Sequence, residues 1–115
     1  MINIGNIRIY LCTGSTDMRK GMNGLTMLAE QLLSEQYCNN AMFVFRGKRA
    51  DRIKTLWFDG QGFCLFYKCL ERGKFMWPNS SEVGSVGITR ARLSMLLEGI
   101  DWRMPQWSEA PKYVG

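Results

Sequence analysis

Within the stretch Phe45 to Pro78, the tetrapeptide Asp59-Gly60-Gln61-Gly62 joins two runs of strand-forming residues, which makes a β-hairpin the hardest feature of this chain to avoid. A two-residue Gly60-Gln61 turn sets Phe58 opposite Phe63 and Leu56 opposite Leu65. On that register Arg52, Lys54, Tyr67 and Cys69 share one face, while Ile53, Thr55, Trp57, Cys64, Phe66 and Lys68 share the other. Leu56, Trp57 and Phe58 are consecutive, so the turn end is expected to be buried on both sides, with Trp57 and Phe58 as core. The charge is then expected at the far end.

That charge is unusually local. Between Arg46 and Lys74 there are eight Lys or Arg against three acids, a net of +5 that equals the net charge of the whole chain. Charge spread for solubility would be scattered, whereas charge gathered in one segment suits a polyanion. Arg46, Lys48, Arg49, Arg52 and Lys54 are the leading candidates to neutralise phosphates, followed by Lys68, Arg72 and Lys74. Such contacts position a protein on nucleic acid without reading sequence. The competing reading is a solvated sheet edge, where lysines prevent strand-to-strand aggregation. A second candidate lies at Thr13 to Lys20, where a Gly-containing loop opens a helix and Arg19 and Lys20 stand ready to hold a phosphate. It is not a Walker loop, since the Gly-Lys-Ser/Thr ending is absent, and an ordinary capped helix with two solvated cations explains it as well.

The rest of the chain reads as one α+β domain over residues 1–102, an antiparallel meander of about four to six strands with two helices packed on one sheet face. Ile7 to Cys12 alternates as a first strand and Thr13 to Asp17 breaks it. Apolar residues at Met18, Met22, Leu25, Ala29 and Leu32, widened by Leu28 and Leu33, predict a helix from Met18 to about Ser34 or Glu35. Gly21 and Gly24 each cost about 1 kcal/mol in a helix interior, which hints at a weak first turn or close packing. Tyr37 to Asn40 is a turn, and Met42 to Phe45 is a short central strand. Glu71 to Lys74 turns the chain into a further strand, Phe75 to Trp77, stopped by Pro78. Asn79 to Gly87 reads as loop. Thr89 caps a second helix with Leu93, Leu96, Leu97 and Ile100 on its apolar side and Gly99 as its stop. Residues 103–115 have no period and are expected to form a mobile tail.

Enzyme chemistry has little to work with. The chain has no histidine, which removes the commonest general base and every zinc site that needs imidazole. Of the four cysteines, Cys64 and Cys69 are five apart on a strand and point to opposite faces, and no Cys-x-x-Cys pair exists, so no metal or other cofactor is expected. Asp17, Asp51, Asp59 and Asp101 each have a plain structural place, and none forms the carboxylate cluster that two-metal chemistry requires. Met1 to Gly5 lacks a basic, then apolar, leader and no run reaches the roughly 18 apolar residues of a membrane span, so reduced thiols and the cytoplasm are the expectation, with no membrane partner.

Four stretches, taken in order, resemble one family: Thr16 to Leu25, Phe45 to Lys54, Leu70 to Pro78, and Leu93 to Trp102. Their sequence and spacing are similar to those of the small accessory protein of IS-sixty-six-type bacterial insertion sequences, often labelled TnpB or the second open reading frame and unrelated to the RNA-guided nuclease of the same label. The resemblance implies a role in transposition beside a separate transposase, which carries the acidic catalytic residues, and a companion helix-turn-helix protein. The family's accessory protein has no established catalytic residues, so none is transferred. Its basic motifs fall at Arg19 and Lys20, at Arg46 to Lys54, and at Arg72 to Lys74. This chain departs from the family where the second helix usually opens with Thr-Pro, since Thr89 is followed by Arg90. The expected function is a non-enzymatic accessory factor that binds DNA, or a transposase-DNA complex, through the basic hairpin. The alternative is a protein-interaction module that docks on the transposase and does not touch DNA.

Overall fold

The computed structural model describes residues 7–33, 40–78 and 84–100. Among the described residues seven elements follow in order: β1 (Arg8–Ser15), α1 (Met22–Leu33), β2 (Ala41–Arg46), β3 (Arg52–Phe58), β4 (Phe63–Cys69), β5 (Ser85–Ile88) and α2 (Arg90–Leu97). The strands form one sheet in the order β4-β3-β2-β1-β5. The α+β assignment therefore stands, and the hairpin register holds rung for rung: Phe58 pairs with Phe63, Leu56 with Leu65, Lys54 with Tyr67 and Arg52 with Cys69. Asp59 builds its turn, with a carboxylate oxygen accepting from the Gln61 and Gly62 N–H groups at 2.9 and 3.0 Å. Gly60 takes φ +101°, a left-handed conformation that a side chain would strain.

The sheet is mixed and not a purely antiparallel meander. β1 and β2 run parallel, with Ile9 beside Met42 and Leu11 beside Val44, whereas the other neighbours are antiparallel. The reason is α1, which carries the chain across the sheet between β1 and β2, so β2 starts at the same end as β1. The helices also take opposite faces. Leu25 and Ala29 of α1 pack with Cys12, Ala41, Phe43, Phe45 and Leu56, while Leu93 and Leu96 of α2 pack with Ile9, Leu11, Met42, Val44, Ile53 and Trp57. Alternate residues of β2 thus serve two cores, which is why Ala41 to Phe45 are all buried.

Four boundaries differ from expectation, the first being β1, which runs on through Thr13 and Gly14 to Ser15 where a break was expected, because Ser15 still pairs with Arg46 of β2. α1 begins at Met22, because residues 16–21 form a loop in which Asp17 accepts from the Arg19 N–H at 2.9 Å. Phe75 to Trp77 is not a strand; Phe75 and Trp77 are buried and Met76 half-buried in the α2-side core, and Trp77 Nε1 donates to the Cys12 carbonyl at 3.0 Å. Ser85 to Gly87, expected as part of the loop 79–87, instead belongs with Ile88 to the edge strand beside β1.

α2 follows its sequence signals. Thr89 Oγ1 accepts from the Arg92 N–H at 3.1 Å. At the other end the Gly99 and Ile100 N–H groups donate to the Leu96 and Met95 carbonyls at 3.1 and 2.9 Å, with Gly99 at φ +80°. Ile100, expected on the apolar side, is exposed. Trp57 is core as expected and Phe58 is half-buried. The helix end near Ser34, the turn at Tyr37 to Asn39 and the tail 103–115 lie outside the described residues.

Candidate nucleic-acid interface

Strand direction decides where the charges go. β1 and β2 end, β3 begins and β4 ends at one edge of the sheet, since Ser15 pairs with Arg46, Arg46 with Ile53 and Ile53 with Lys68. Three loops meet there: 16–21, 47–51 and 70–75. The first is tied to the second by the Thr16 N–H to the Arg46 carbonyl at 2.8 Å, and a Cβ on Gly47 would stand 2.8 Å from Met18 Cγ. The second is tied to the third by the Leu70 N–H to the Asp51 carbonyl at 2.8 Å and the Phe75 N–H to the Ala50 carbonyl at 2.7 Å. Arg19, Lys20, Arg46, Lys48, Arg49, Arg52, Arg72 and Lys74 all belong to this end, against Asp17, Asp51 and Glu71. The hairpin tip, with Asp59, is roughly 20 Å away along a seven-residue strand. Arg19 and Lys20 thus lie beside the 46–52 turn, a proximity that sequence alone left open.

The ten candidate cations are not equivalent. Lys54 is only 8% exposed; its Nζ donates to the Lys20 carbonyl at 2.9 Å and stands 4.8 Å from the centroid of the Tyr67 ring. It pins the loop before α1 to the sheet. Lys68 points to the α2 face and donates to the Leu97 carbonyl at 2.7 Å, satisfying a helix-end acceptor. Arg46 also turns toward the α2 side, with its guanidinium 6.0 Å from the Trp77 ring centroid and Nη1 donating to the Gly47 carbonyl at 3.2 Å. Arg52 is exposed on the α1 face, where Nη1 meets Tyr67 Oη at 3.4 Å. Lys48, Arg49, Arg72 and Lys74 are exposed on the loops. Lys54→Met and Lys68→Met are each expected to lower stability by about 1 to 2 kcal/mol in a denaturant melt, because each strands a backbone carbonyl.

Arg19 and Asp17 form an exposed pair, Arg19 Nη2 to Asp17 Oδ2 at 2.9 Å and Nε to Oδ1 at 3.0 Å. The Arg19 side-chain hydrogen bonds, with its N–H, pull the Asp17 carboxyl down to about 2. A depressed carboxyl stabilises the loop above its unfolded value, about 3.9, and this contribution is lost as pH falls through about 2. An NMR titration is expected to find Asp17 ionised down to about pH 2. The Arg19→Ala variant should return the midpoint toward the ordinary carboxylate range.

Among the described residues no three of His, Cys, Asp and Glu come together to hold a metal ion. Cys12, Cys64 and Cys69 are free, and burial pushes the Cys12 thiol up to about 12, so it is an inert part of the core. Among the same residues no helix is long and apolar enough to cross a membrane.

A family model described as IS66 Orf2 like protein matches residues 7–107, which contain all four of the motifs noted above. The uncharacterized protein y4hO of Sinorhizobium fredii (strain NBRC 101917 / NGR234) is 46% identical over 110 residues, covering 96% of this chain and 95% of that protein. The uncharacterized protein y4jC of the same strain is 41% identical over 97 residues, covering 84% and 81%. No solved structure matches. With a family model across nearly its whole length, the chain belongs to the IS66 Orf2-like family of insertion-sequence proteins, which points to an accessory role in transposition.

Proposed function

We propose that this protein is a non-enzymatic accessory factor for transposition of its insertion sequence, and that it contacts DNA, alone or within a transposase-DNA complex, through the loop end of its sheet. One observation carries the reading. Three loops far apart in sequence are hydrogen-bonded together and hold six cations, joined by Arg46 and Arg52 at the adjoining strand ends, against three acids, while the opposite tip of the hairpin carries an acid. A cluster of this kind attracts a phosphate backbone and releases its counterions. α1 also opens at this end, and its N-terminus adds a positive dipole end.

The test is binding of the purified protein to labelled insertion-sequence ends and to unrelated duplex across a salt series. The reading expects binding at low salt and a log-log slope of about −0.9 per phosphate neutralised. Preference for the ends would add sequence discrimination to a backbone contact. If neither duplex is bound at low salt, the DNA reading fails, and the acidic surface of a transposase becomes the partner to examine.

A further inference from the structure

α1 covers β1, β2 and Leu56, and leaves the outer part of that sheet face open. There β4 presents Phe63, Leu65, Tyr67 and Cys69. Phe63 is 38% exposed and Tyr67 45%, which is high for aromatic rings on a small sheet. They stand roughly 13 Å apart along the strand. Phe63 is braced edge-on by Phe58 with ring centroids 5.2 Å apart. Tyr67 is held by cations, with the Lys54 ammonium 4.8 Å from its ring centroid and Arg52 Nη1 at its hydroxyl. Lys54 and Arg52 are both positive, Lys54 joins the ring to loop 16–21 through the Lys20 carbonyl, and the Arg52 carbonyl accepts from the Gly47 N–H that opens loop 47–51.

From this placement we propose that the β3–β4 shelf is a stacking platform for unpaired nucleotides of single-stranded DNA, with Tyr67 as its principal aromatic. The inference rests on the DNA reading above and makes it specific. A duplex keeps its bases inside and offers only phosphates, whereas a single strand offers ring faces as well as charge. Exposed aromatics on a sheet, flanked by cations, serve both. The Tyr67 ring takes a base, and Arg52 and the loop cations take the phosphates on either side. Phe63 lies far enough along the strand to meet a second base, where the shelf is no longer basic.

The experiment is fluorescence anisotropy with a labelled thymidine oligomer of about twelve nucleotides, within the range of known single-strand sites, and with a duplex of equal length at matched salt. Wild type, Tyr67→Ala, Tyr67→Phe and a Lys48→Ala/Arg49→Ala variant are compared, with near-UV circular dichroism to confirm that each is folded. Tyr67→Ala is expected to weaken single-strand binding roughly 5- to 150-fold while changing duplex binding little, and Tyr67→Phe to retain most of the affinity. If Tyr67→Ala binds the oligomer like wild type while the loop variant loses both ligands, the platform is wrong and the DNA reading stands. If wild type binds neither ligand at low salt, both fall. If wild type is a dimer in sedimentation and Tyr67→Ala a monomer, the shelf is a contact between two copies and the platform is overturned.

Discussion

Replacing Lys48, Arg49, Arg72 and Lys74 together by alanine is expected to abolish most DNA affinity while leaving the fold intact. All four side chains are exposed on the loops at one end of the sheet. The backbone around them is tied by the Leu70 and Phe75 N–H groups, which alanine does not disturb. If each cation neutralises one phosphate, the log-log salt slope becomes shallower by about 3 to 4. That corresponds to a loss of several hundredfold or more in affinity at low salt. The contrast with Lys54→Met and Lys68→Met is the informative part, since each of those variants removes one charge from a group bonded inside the domain and is expected to leave the salt slope nearly unchanged. Salt-titrated binding of all the variants, read beside their denaturant melts, checks the division between outward and inward cations.

The second large effect is structural. Trp77→Ala is expected to cost about 3 to 5 kcal/mol, the range for deleting a large buried aromatic. Trp77 sits in the α2-side core, donates to the Cys12 carbonyl of β1 and lies under the Arg46 guanidinium. It therefore joins a run that belongs to no strand to two strands of the sheet. Trp77→Phe keeps much of the ring volume and loses the N–H, and about 1 to 3 kcal/mol is expected for the stranded carbonyl. Urea melts of the two variants separate packing from hydrogen bonding. A cost for Trp77→Phe equal to that of Trp77→Ala would place the energy in the hydrogen bond and not in the ring.

Local chemistry made the hairpin legible. Asp59-Gly60 names its own turn, and once the turn is fixed, alternation sets every rung from Phe58 to Arg52. Thr89 and Gly99 marked α2 in the same way. The parallel pairing of β1 and β2 was harder to see, because alternation reports which face a residue occupies and not which way its strand runs. A strand-helix-strand order is the signal that favours it. β5 escaped notice because Ser85-Val86-Gly87-Ile88 is short and contains a glycine, and it is held by its pairing with β1. Phe75 to Trp77 has the residues of a strand, but it is held by the α2-side core and by bonds to the Ala50 and Cys12 carbonyls.

The candidate site was legible as charge and not as geometry. Sequence counting found the eight cations of the 46–74 segment and placed them far from the turn, yet it treated Lys54, Lys68 and Arg46 like their neighbours. Lys54 shares a face with Leu56, so its inward turn had a trace in the pattern. Nothing local announces that Lys68 reaches a carbonyl 29 residues away. The link from Arg19 and Lys20 to the hairpin depends on loop 16–21 folding back over Gly47, a long-range contact with no sequence period behind it.

The most direct test of the basic loop end as the DNA face is an amide chemical-shift titration of the labelled protein with a short duplex. The arrangement described above predicts shifts concentrated in residues 16–21, 46–52 and 70–75, with the hairpin tip at 59–62 unchanged. Shifts centred on the tip or on α2, or none at duplex excess in low salt, would contradict it.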